Sequence, residues 1–252
     1  MRCPTLSELP PPPPGKTGWP WTEESLQLPD TMPDGRPWPK ISIVTPNYNY
    51  GQFIEETIRS VLLQGYPNLE YIIIDGGSTD NSVEIIKKYE PWLAYWTSEP
   101  DRGQAHAINK GFGLATGELI AYLNSDDLYL RGALANVAKY FIEHPDVGAI
   151  YGDCQVIDEA SDTLGIRRPP NFCLKRELLC NFIPQPTVFL RRAVFKSSGF
   201  LDTNLKYAMD YELWCRVGLH APFEKLPLTI ACFRKHHQSK TTCHLEAFGD
   251  EA

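Results

Sequence analysis

The sequence lacks any long hydrophobic run. No apolar stretch approaches the ~20 residues that a membrane helix requires, and the N-terminus, MRCPTLSELPPPPPGK, lacks the apolar core of a signal peptide. We therefore expect a cytoplasmic protein without a transmembrane segment. Peripheral association with the inner face of the cell membrane stays open.

Cysteine pairs and positive charge are also scarce. Seven cysteines are scattered without a CxxC pair, and an odd number fits poorly with a disulfide framework. The 24 Lys and Arg residues are outnumbered by 31 Asp and Glu residues, which gives a net charge of −7. This charge argues against a nucleic-acid partner. An anionic ligand would need a metal ion or a few placed basic residues.

Residues 1–39 differ in composition from the rest of the chain. Five consecutive prolines at 10–14 and frequent later prolines exclude a persistent helix or strand. The tryptophans of this segment are unusual for a disordered tail. We expect an extended arm that is held on the surface of a domain formed by residues 40–252. PPGKT within the arm ends like a phosphate-binding loop, but it lacks the preceding Gly and strand of that motif.

From Lys40 onward, strand and helix patterns alternate. Expected helices at 51–65, 80–90 and 103–115, with Gly65 as a C-cap and Asp80 as an N-cap, separate expected strands at 41–46, 69–75, 93–99 and 118–124. This order predicts an α/β fold with a mostly parallel central sheet and helices on both faces. The second half predicts mixed topology, because it is less regular: a strand before 158, a strand and short helix at 186–195, a helix at 206–220, and a strand or hairpin at 223–234.

The expected strands end in polar residues. They run into TPNYNYG, DGGSTD, SEPDRG and NSDD, and ligands of open parallel sheets bind beyond such carboxyl ends. The adjacent carboxylates of NSDD at 124–127 fit a divalent cation bound together with substrate phosphates, with a surface turn as the simpler alternative. Asp75 in DGGSTD either caps a turn or accepts a hydrogen bond from a nucleotide base or ribose.

Three further segments carry alternative interpretations. Asp210 and Glu212 lie near the start of an expected helix, where an acid complements the helix dipole. FRKHHQSKTT at 233–242 is either a solvated basic run or the source of a histidine or cation that reaches a diphosphate. The glycines of GFGLATG at 111–117 close a helix instead of following a strand, which excludes a dinucleotide-binding turn and leaves helix caps and turn residues.

Taken in order, ISIVTPNYNYGQF, IIIDGGSTDNS, SEPDRGQAHAINKG, AYLNSDD and FLDTNLKYAMDYELW resemble the family-2 glycosyltransferases with a GT-A (Rossmann-like) fold, over about residues 40–237. The resemblance implies transfer from a nucleotide-diphosphate sugar to a sugar, lipid-linked or glycan acceptor, with inversion, in polysaccharide or glycoconjugate synthesis. It implies a divalent cation, Mn²⁺ or Mg²⁺. It also implies a nucleotide-sugar half at about 40–127 and an acceptor half at about 128–252.

The resemblance carries individual roles. It implies that Asp210 is the catalytic carboxylate and that Asp126 and Asp127 hold the metal. The implied donor contacts are Thr45, Pro46, Asn47, Tyr48, Asp75, Glu99, Asp101, Gln104, Asn109, Asn124, Ser125 and His236.

The chain departs from the family pattern at three positions. Asn124 replaces the first Asp of the metal motif, Gly76 replaces a second Asp after Asp75, and Met209 replaces the Glu before Asp210. The altered metal motif keeps a catalytically inactive sugar-nucleotide-binding or scaffold protein as an alternative. A nucleotidyltransferase fits less well, because its first strand should lead into a Gly-rich loop with a basic residue, and TPNYNYG has neither.

Overall fold

The computed structural model describes residues 1–237, Ser239 and Glu251. In this part of the chain nine strands form: β1 (Ile41–Asn47), β2 (Leu69–Asp75), β3 (Tyr95–Ser98), β4 (Leu119–Tyr122), β5 (Leu128–Tyr129), β6 (Ala149–Ile157), β7 (Thr163–Arg167), β8 (Phe189–Arg191) and β9 (Phe223–Arg234). The α-helices are α1 (Ile54–Leu62), α2 (Ser82–Tyr89), α3 (Gln104–Leu114), α4 (Ala133–Glu143), α5 (Leu174–Glu177), α6 (Phe195–Ser198) and α7 (Met209–His220).

The strands form one sheet in the order β3-β2-β1-β4-β8-β6-β9-β5, and β7 pairs with β6. The pairs among β1, β2, β3 and β4 are all parallel. Beyond β4 the topology is mixed, because β8 is antiparallel to β4 and β6 whereas β9 is parallel to β6. This confirms the predicted α/β architecture with a parallel first half and a mixed second half.

Two hydrophobic cores lie on opposite faces of the sheet. Alternate residues of a strand point to opposite faces, so Ile43 packs in the core that contains α1, α2 and α4, and Val44 packs in the core that contains α3 and α7. Gly111 of α3 lies directly over Val44, and a Cβ at this glycine would come within 2.3 Å of Val44 Cγ1. The missing side chain therefore lets α3 approach β1 closely.

The expected caps are wrong, although the predicted helices and strands of the first half form near the predicted positions; β5, β7 and α5 were not predicted. Helix α1 ends at Leu62 with Leu63 as C-cap, so Gly65 lies beyond the cap. The N-cap position of α2 is Asn81, and Asp80 instead accepts a hydrogen bond from the Ser82 amide at 2.9 Å. Two of the GFGLATG glycines lie inside α3, whose C-cap is Ala115. Residues 223–234 form one strand and no hairpin.

Residues 1–39 pack along the helix α1 side of the domain. Trp21 and Trp38 are buried there. Arg59 of α1 is fully buried, and its guanidinium donates to the main-chain oxygens of Pro10 at 2.8 Å, Pro20 at 3.1 Å and Trp21 at 2.9 Å. The carbonyl groups of the arm thus replace water around a buried charge. Within the described residues, no helix is long and apolar enough to cross a membrane.

Candidate functional site

A cavity of about 880 Å³ opens at the carboxyl ends of the parallel strands and is closed on its other side by the second half of the chain. This volume lies within the range of small-molecule sites, about 300–1,000 Å³. The predicted site residues that line it are Pro46, Asn47, Tyr48, Asp101, Gln104, Asn124, Ser125, Asp126 and Asp210. The cavity therefore brings together the strand ends and the start of α7, as the expected topology requires.

Asp75 holds the loops after β1 and β2 together. Its carboxylate is fully buried and accepts hydrogen bonds from Asn47 Nδ2 at 2.6 Å, Ser78 Oγ at 2.5 Å and Ser98 Oγ at 2.6 Å, and from the main-chain amides of Gly77 and Ser78. It does not line the cavity, because the protein itself saturates its oxygens. This arrangement fits the turn-capping alternative, and direct contact of Asp75 with a nucleoside stays a prediction.

Asn47 and Tyr48 carry polar and aromatic groups into the same corner of the cavity. With its amide nitrogen bound to Asp75, Asn47 has a buried Oδ1 that has no hydrogen-bond partner among the described residues. Tyr48 is 60% exposed, although it is aromatic and lies on the cavity wall. An orphaned acceptor beside an open ring is a suitable arrangement for a planar nucleobase with N–H donors.

Three predicted donor contacts lie outside the cavity. Thr45 is fully buried, with its hydroxyl 3.1 Å from the hydroxyl of Tyr71. Glu99 is on the surface and pairs with Lys110. Asn109 exchanges two hydrogen bonds with the main chain of Leu201, so it ties α3 to the second half of the domain. Each of these side chains has protein partners and does not line the cavity, and their roles in donor binding stay predictions.

The Gly76 position leaves room for Asp101. A Cβ at Gly76 would come within 2.8 Å of Asp101 Oδ2, and both residues line the cavity. The other oxygen of Asp101 accepts a hydrogen bond from the Gly103 amide at 2.7 Å, just before α3. The departure from the family pattern at Gly76 therefore coincides with a carboxylate supplied from the loop after β3.

Asn124 is held by a chain of amide side chains. Gln104 Nε2 donates to Asn124 Oδ1 at 2.7 Å, and Asn124 Nδ2 donates to Gln185 Oε1 at 3.1 Å. Gln185 in turn donates to the Tyr122 carbonyl at 3.0 Å. An aspartate at 124 would lose the donor that reaches Gln185. Gln185 was not predicted from the sequence, since its short 3-10 turn (Gln185–Thr187) reaches β4 only in the folded chain.

The two adjacent carboxylates of the acidic turn have different surroundings. Asp126 lines the cavity, and its Oδ2 lies 2.9 Å from His236 Nε2. Asp127 is 1% exposed and accepts a hydrogen bond from the Arg234 amide at 2.9 Å. Burial, together with the nearby charge of Asp126, raises the pKa of Asp127 well above its ordinary value. Asp127 therefore lies behind the cavity wall, and a metal-binding role for it stays a prediction.

Arg234 stabilises this turn from the protein interior. Its side chain is fully buried, with Nε 2.8 Å from the Asp126 carbonyl oxygen and Nη2 2.9 Å from Glu56 Oε2. The guanidinium also lies over the ring of Phe53, 4.9 Å from its centroid. In the sequence, Arg234 is part of a basic run whose simplest interpretation is a solvated surface. Its burial depends on Glu56, which is far away in the chain.

His236 is fixed beside Asp126 by aromatic packing. It is 4% exposed, and its ring lies 5.4 Å from that of Tyr50 and 4.7 Å from that of Phe53. Asp126 therefore offers a carboxylate at the cavity wall with the His236 ring behind it, and Mn²⁺ or Mg²⁺ would take further ligands from substrate phosphates and water. Residues 1–237, 239 and 251 contain no cluster of three His, Cys, Asp or Glu side chains able to hold a metal alone, so substrate oxygens would be needed.

Asp210 lies in the first turn of α7 and lines the cavity opposite the strand ends. Glu212, the other candidate acid, pairs with Arg216 through Oε2 and Nη2 at 2.6 Å and does not line the cavity. The basic side chains of Arg167 and Lys206 also line it, although the sequence did not single them out. Their role could not be seen in the sequence, because Arg167 belongs to an unexpected strand.

The comparisons with known proteins agree on one family. The family model described as glycosyl transferase family 2 matches residues 42–197. An uncharacterized glycosyltransferase of Rickettsia typhi is 31% identical over 185 residues, which are 70% of this chain and 58% of that protein. An uncharacterized glycosyltransferase of Mycobacterium tuberculosis is 30% identical over 197 residues, 77% of this chain and 73% of that protein. The chain thus spans little more than half the length of the first relative.

Solved structures agree on the fold. The structure of S. aureus TarS 1-349 in complex with UDP-GlcNAc superimposes with a TM-score of 0.71 at 22% identity, covering 84% of this chain and 64% of that chain. Mannosyltransferase PcManGT from Pyrobaculum calidifontis, in complex with GDP-Man and Mn²⁺, gives a TM-score of 0.62 at 21% identity, covering 86% and 62%. These likenesses confirm the predicted GT-A fold. Since the family model covers more than half of its length, the chain belongs to glycosyl transferase family 2.

Proposed function

We propose that the protein is an inverting glycosyltransferase that moves a sugar from a nucleotide-diphosphate sugar to an acceptor hydroxyl. The observation that carries the proposal is the cavity itself, which has Asp126 at one wall, with His236 buried behind it, and Asp210 at the wall formed by α7. A group that holds a departing diphosphate and a group that accepts a proton are what a single displacement needs.

The donor nucleoside binds at the corner formed by Asn47 and Tyr48. The buried acceptor of Asn47 suits a base N–H, and the exposed ring of Tyr48 suits stacking. Asp75 supports this corner through its hydrogen bond to the Asn47 amide. That donors carry a nucleotide diphosphate is supported by the names of the neighbouring structures, which include UDP-GlcNAc, UDP and GDP-Man complexes.

Asp126 is the residue that would hold a divalent cation, and His236, buried behind it, would orient its carboxylate. Such a cation, when bound with the donor, neutralises negative charge on the diphosphate. Arg167 and Lys206 add positive charge at the cavity wall of a chain with net charge −7. The Mn²⁺-bound mannosyltransferase supports Mn²⁺ as the first ion to test.

Asp210 serves as the general base in this proposal. Its carboxylate accepts the proton of the acceptor hydroxyl while that oxygen attacks the sugar from the face opposite the diphosphate, which inverts the anomeric carbon. Asp210 lies in the first turn of α7, where the positive end of the helix dipole attracts a carboxylate. The Tyr211 amide, 2.8 Å from Asp210 Oδ1, holds one oxygen.

The proposal is tested by incubation with a panel of nucleotide sugars and Mn²⁺, with and without candidate acceptors. Release of nucleotide diphosphate that rises with one acceptor, and a product with inverted anomeric configuration by NMR, are the expected results. Tight donor binding without any release would support the inactive binding protein instead. Release of pyrophosphate from a nucleoside triphosphate and a sugar phosphate would support a nucleotidyltransferase.

A further inference from the structure

Residues 163–181 form an exposed apolar rim beside the cavity, and we call this stretch the rim segment. It borders the cavity at both ends, since Arg167 and Asn181 line the cavity wall. Four of the twelve exposed large hydrophobic side chains of the described chain lie in it: Leu164 at 59%, Ile166 at 42%, Leu178 at 53% and Leu179 at 85% exposure. So many exposed aliphatic side chains in one segment indicate a surface that contacts a membrane or another molecule.

The backbone of the rim segment presents these groups outward. Leu164 and Ile166 are two residues apart in β7 and therefore lie on one face of the strand, whereas Arg167 points to the cavity. Among the described strands, β7 pairs only with β6, so it is an edge. Leu178 and Leu179 follow directly after α5 at the other end of the segment.

Basic residues accompany the apolar ones. The rim segment contains Arg167, Arg168, Lys175 and Arg176, all of them exposed, and its one acidic residue, Glu177, is fully buried. Arg168 lies 3.8 Å from Asp153, and the other three basic residues have no ion pair within the described residues. A cationic surface of this kind on a chain with net charge −7 is complementary to an anionic partner.

The chemistry of the segment fits a bilayer better than a protein. Protein interfaces are anchored mainly by Trp, Tyr and Arg, and of these three residue types residues 163–181 contain only Arg. Leucine and isoleucine beside Lys and Arg are the residues that insert at the boundary between headgroups and acyl chains of an anionic membrane.

We propose that the rim segment docks on an anionic lipid bilayer, with its four aliphatic side chains at the acyl boundary and its basic side chains among the headgroups. Because Arg167 and Asn181 also line the cavity, a docked protein has its cavity mouth at the membrane. The acceptor that reaches Asp210 is then lipid-linked, and this second step rests on the proposed function.

Vesicle sedimentation of the full chain tests the docking without any need for turnover. The vesicles are phosphatidylcholine alone, or an equal mixture of phosphatidylcholine and phosphatidylglycerol. Binding to the mixed vesicles and not to phosphatidylcholine is expected. Lys175→Ala combined with Arg176→Ala should lower the partition coefficient about 30-fold, at about 1 kcal/mol per basic residue. The exposed pair on α2, Lys87→Ala with Lys88→Ala, is the matched control and should leave it unchanged.

Leu179→Ser and Leu26→Ser form a second matched pair, because both leucines are 85% exposed and only Leu179 lies in the rim segment. Leu179→Ser should lower vesicle binding about tenfold, and Leu26→Ser should not change it. Equal losses in variant and control, or no binding to anionic vesicles, would overturn the docking. Self-association that Leu179→Ser abolishes, without vesicle binding, would assign the rim segment to a second copy of the chain.

Failure of the docking and failure of the proposed function give different results. If the protein releases nucleotide diphosphate with soluble acceptors but does not bind anionic vesicles, the docking alone is refuted. A protein that binds vesicles through the rim segment but shows no donor binding or release refutes the proposed function and keeps the docking.

Discussion

Glu56→Gln is the substitution that should reveal how strongly the acidic turn depends on buried charge. Glu56 is the carboxylate that compensates Arg234, with Oε2 2.9 Å from Nη2 and side-chain exposures of 7% and 0%. Glutamine keeps the size of the side chain and one acceptor oxygen, but it leaves the guanidinium without an opposite charge. Arg234 in turn donates to the Asp126 carbonyl, so the loss reaches the site.

The expected cost follows from burial. Removing one partner of a buried ion pair destabilises a protein by about 3–5 kcal/mol, because the remaining charge is uncompensated. The retained amide oxygen places Glu56→Gln near the lower end, about 3 kcal/mol, or about 6–12 °C in melting temperature for a chain of this size. The matched control is Glu23→Gln, which breaks a surface pair with Arg131 whose side chains are 46% and 54% exposed. That change should cost at most about 1 kcal/mol.

Urea unfolding followed by circular dichroism measures both variants, and titration with a nucleotide diphosphate and Mn²⁺ measures the site. Glu56→Gln should lose stability and bind the diphosphate more weakly, since the Asp126 main chain is less firmly held. A loss of stability no greater than that of Glu23→Gln would refute the assigned compensation of Arg234. Lost stability with unchanged diphosphate affinity would refute the coupling between Arg234 and the site.

Four further outcomes are expected. Asp210→Asn should lower turnover at least ~10²-fold with nearly unchanged donor affinity, and Glu212→Gln should not; the reverse result in a steady-state assay would transfer the role of general base to Glu212. Asp126→Ala should abolish Mn²⁺-dependent binding of the nucleotide diphosphate in calorimetry as fully as a chelator does, and unchanged binding in excess chelator would exclude the metal. Burial, with the nearby charge of Asp210, raises the pKa of Glu177 from 4.5 to about 7, so the folded state retains a proton that the unfolded state has released, and this contribution to stability is lost as pH rises through that interval. Glu177→Gln should therefore be more stable than the wild type at pH 8 and similar to it at pH 4, measured by urea unfolding, and a constant difference across pH would contradict this origin. Deletion of residues 1–39 should lower the melting temperature, because Arg59 loses its three carbonyl partners, and an unchanged value would mean that the arm is a loose tether.

The first half of the fold was readable from the sequence because its signals are local. Apolar strands such as 69–75 end in Asp, Gly or Pro, and the helices between them have one apolar face. The spacing of the apolar residues therefore agrees with the residues that end each element. Strand β7 was missed because it is short and mostly exposed, and its two apolar side chains, Leu164 and Ile166, face outward and not into a core. Its pairing with β6, and not its own composition, makes it a strand.

The location of a site residue could be predicted where its position at the end of a strand determines where its side chain lies. Asn47, Tyr48 and Asp126 follow strands whose carboxyl ends must meet, so their place at the cavity was expected. Thr45 and Asn109 do not line the cavity, because a position next to a motif does not determine which way a side chain points. Thr45 still belongs to β1 and faces Tyr71, and Asn109 faces the loop at Leu201.

The sequence pattern cannot assign different roles to Asp126 and Asp127, because packing in the folded chain determines the environment of each carboxylate. Two adjacent carboxylates cannot both remain ionised at short range without cations, and the fold solves this by giving each a different environment. Asp126 lines the cavity with His236 buried behind it, whereas Asp127 bonds to the Arg234 amide away from the cavity, where burial raises its pKa. One carboxylate is thus left to face a ligand. The partners of the two aspartates, the Arg234 amide and the His236 ring, come from the end of β9 and the residues just after it, over a hundred residues away. The sequence of the acidic turn alone therefore could not distinguish the two aspartates.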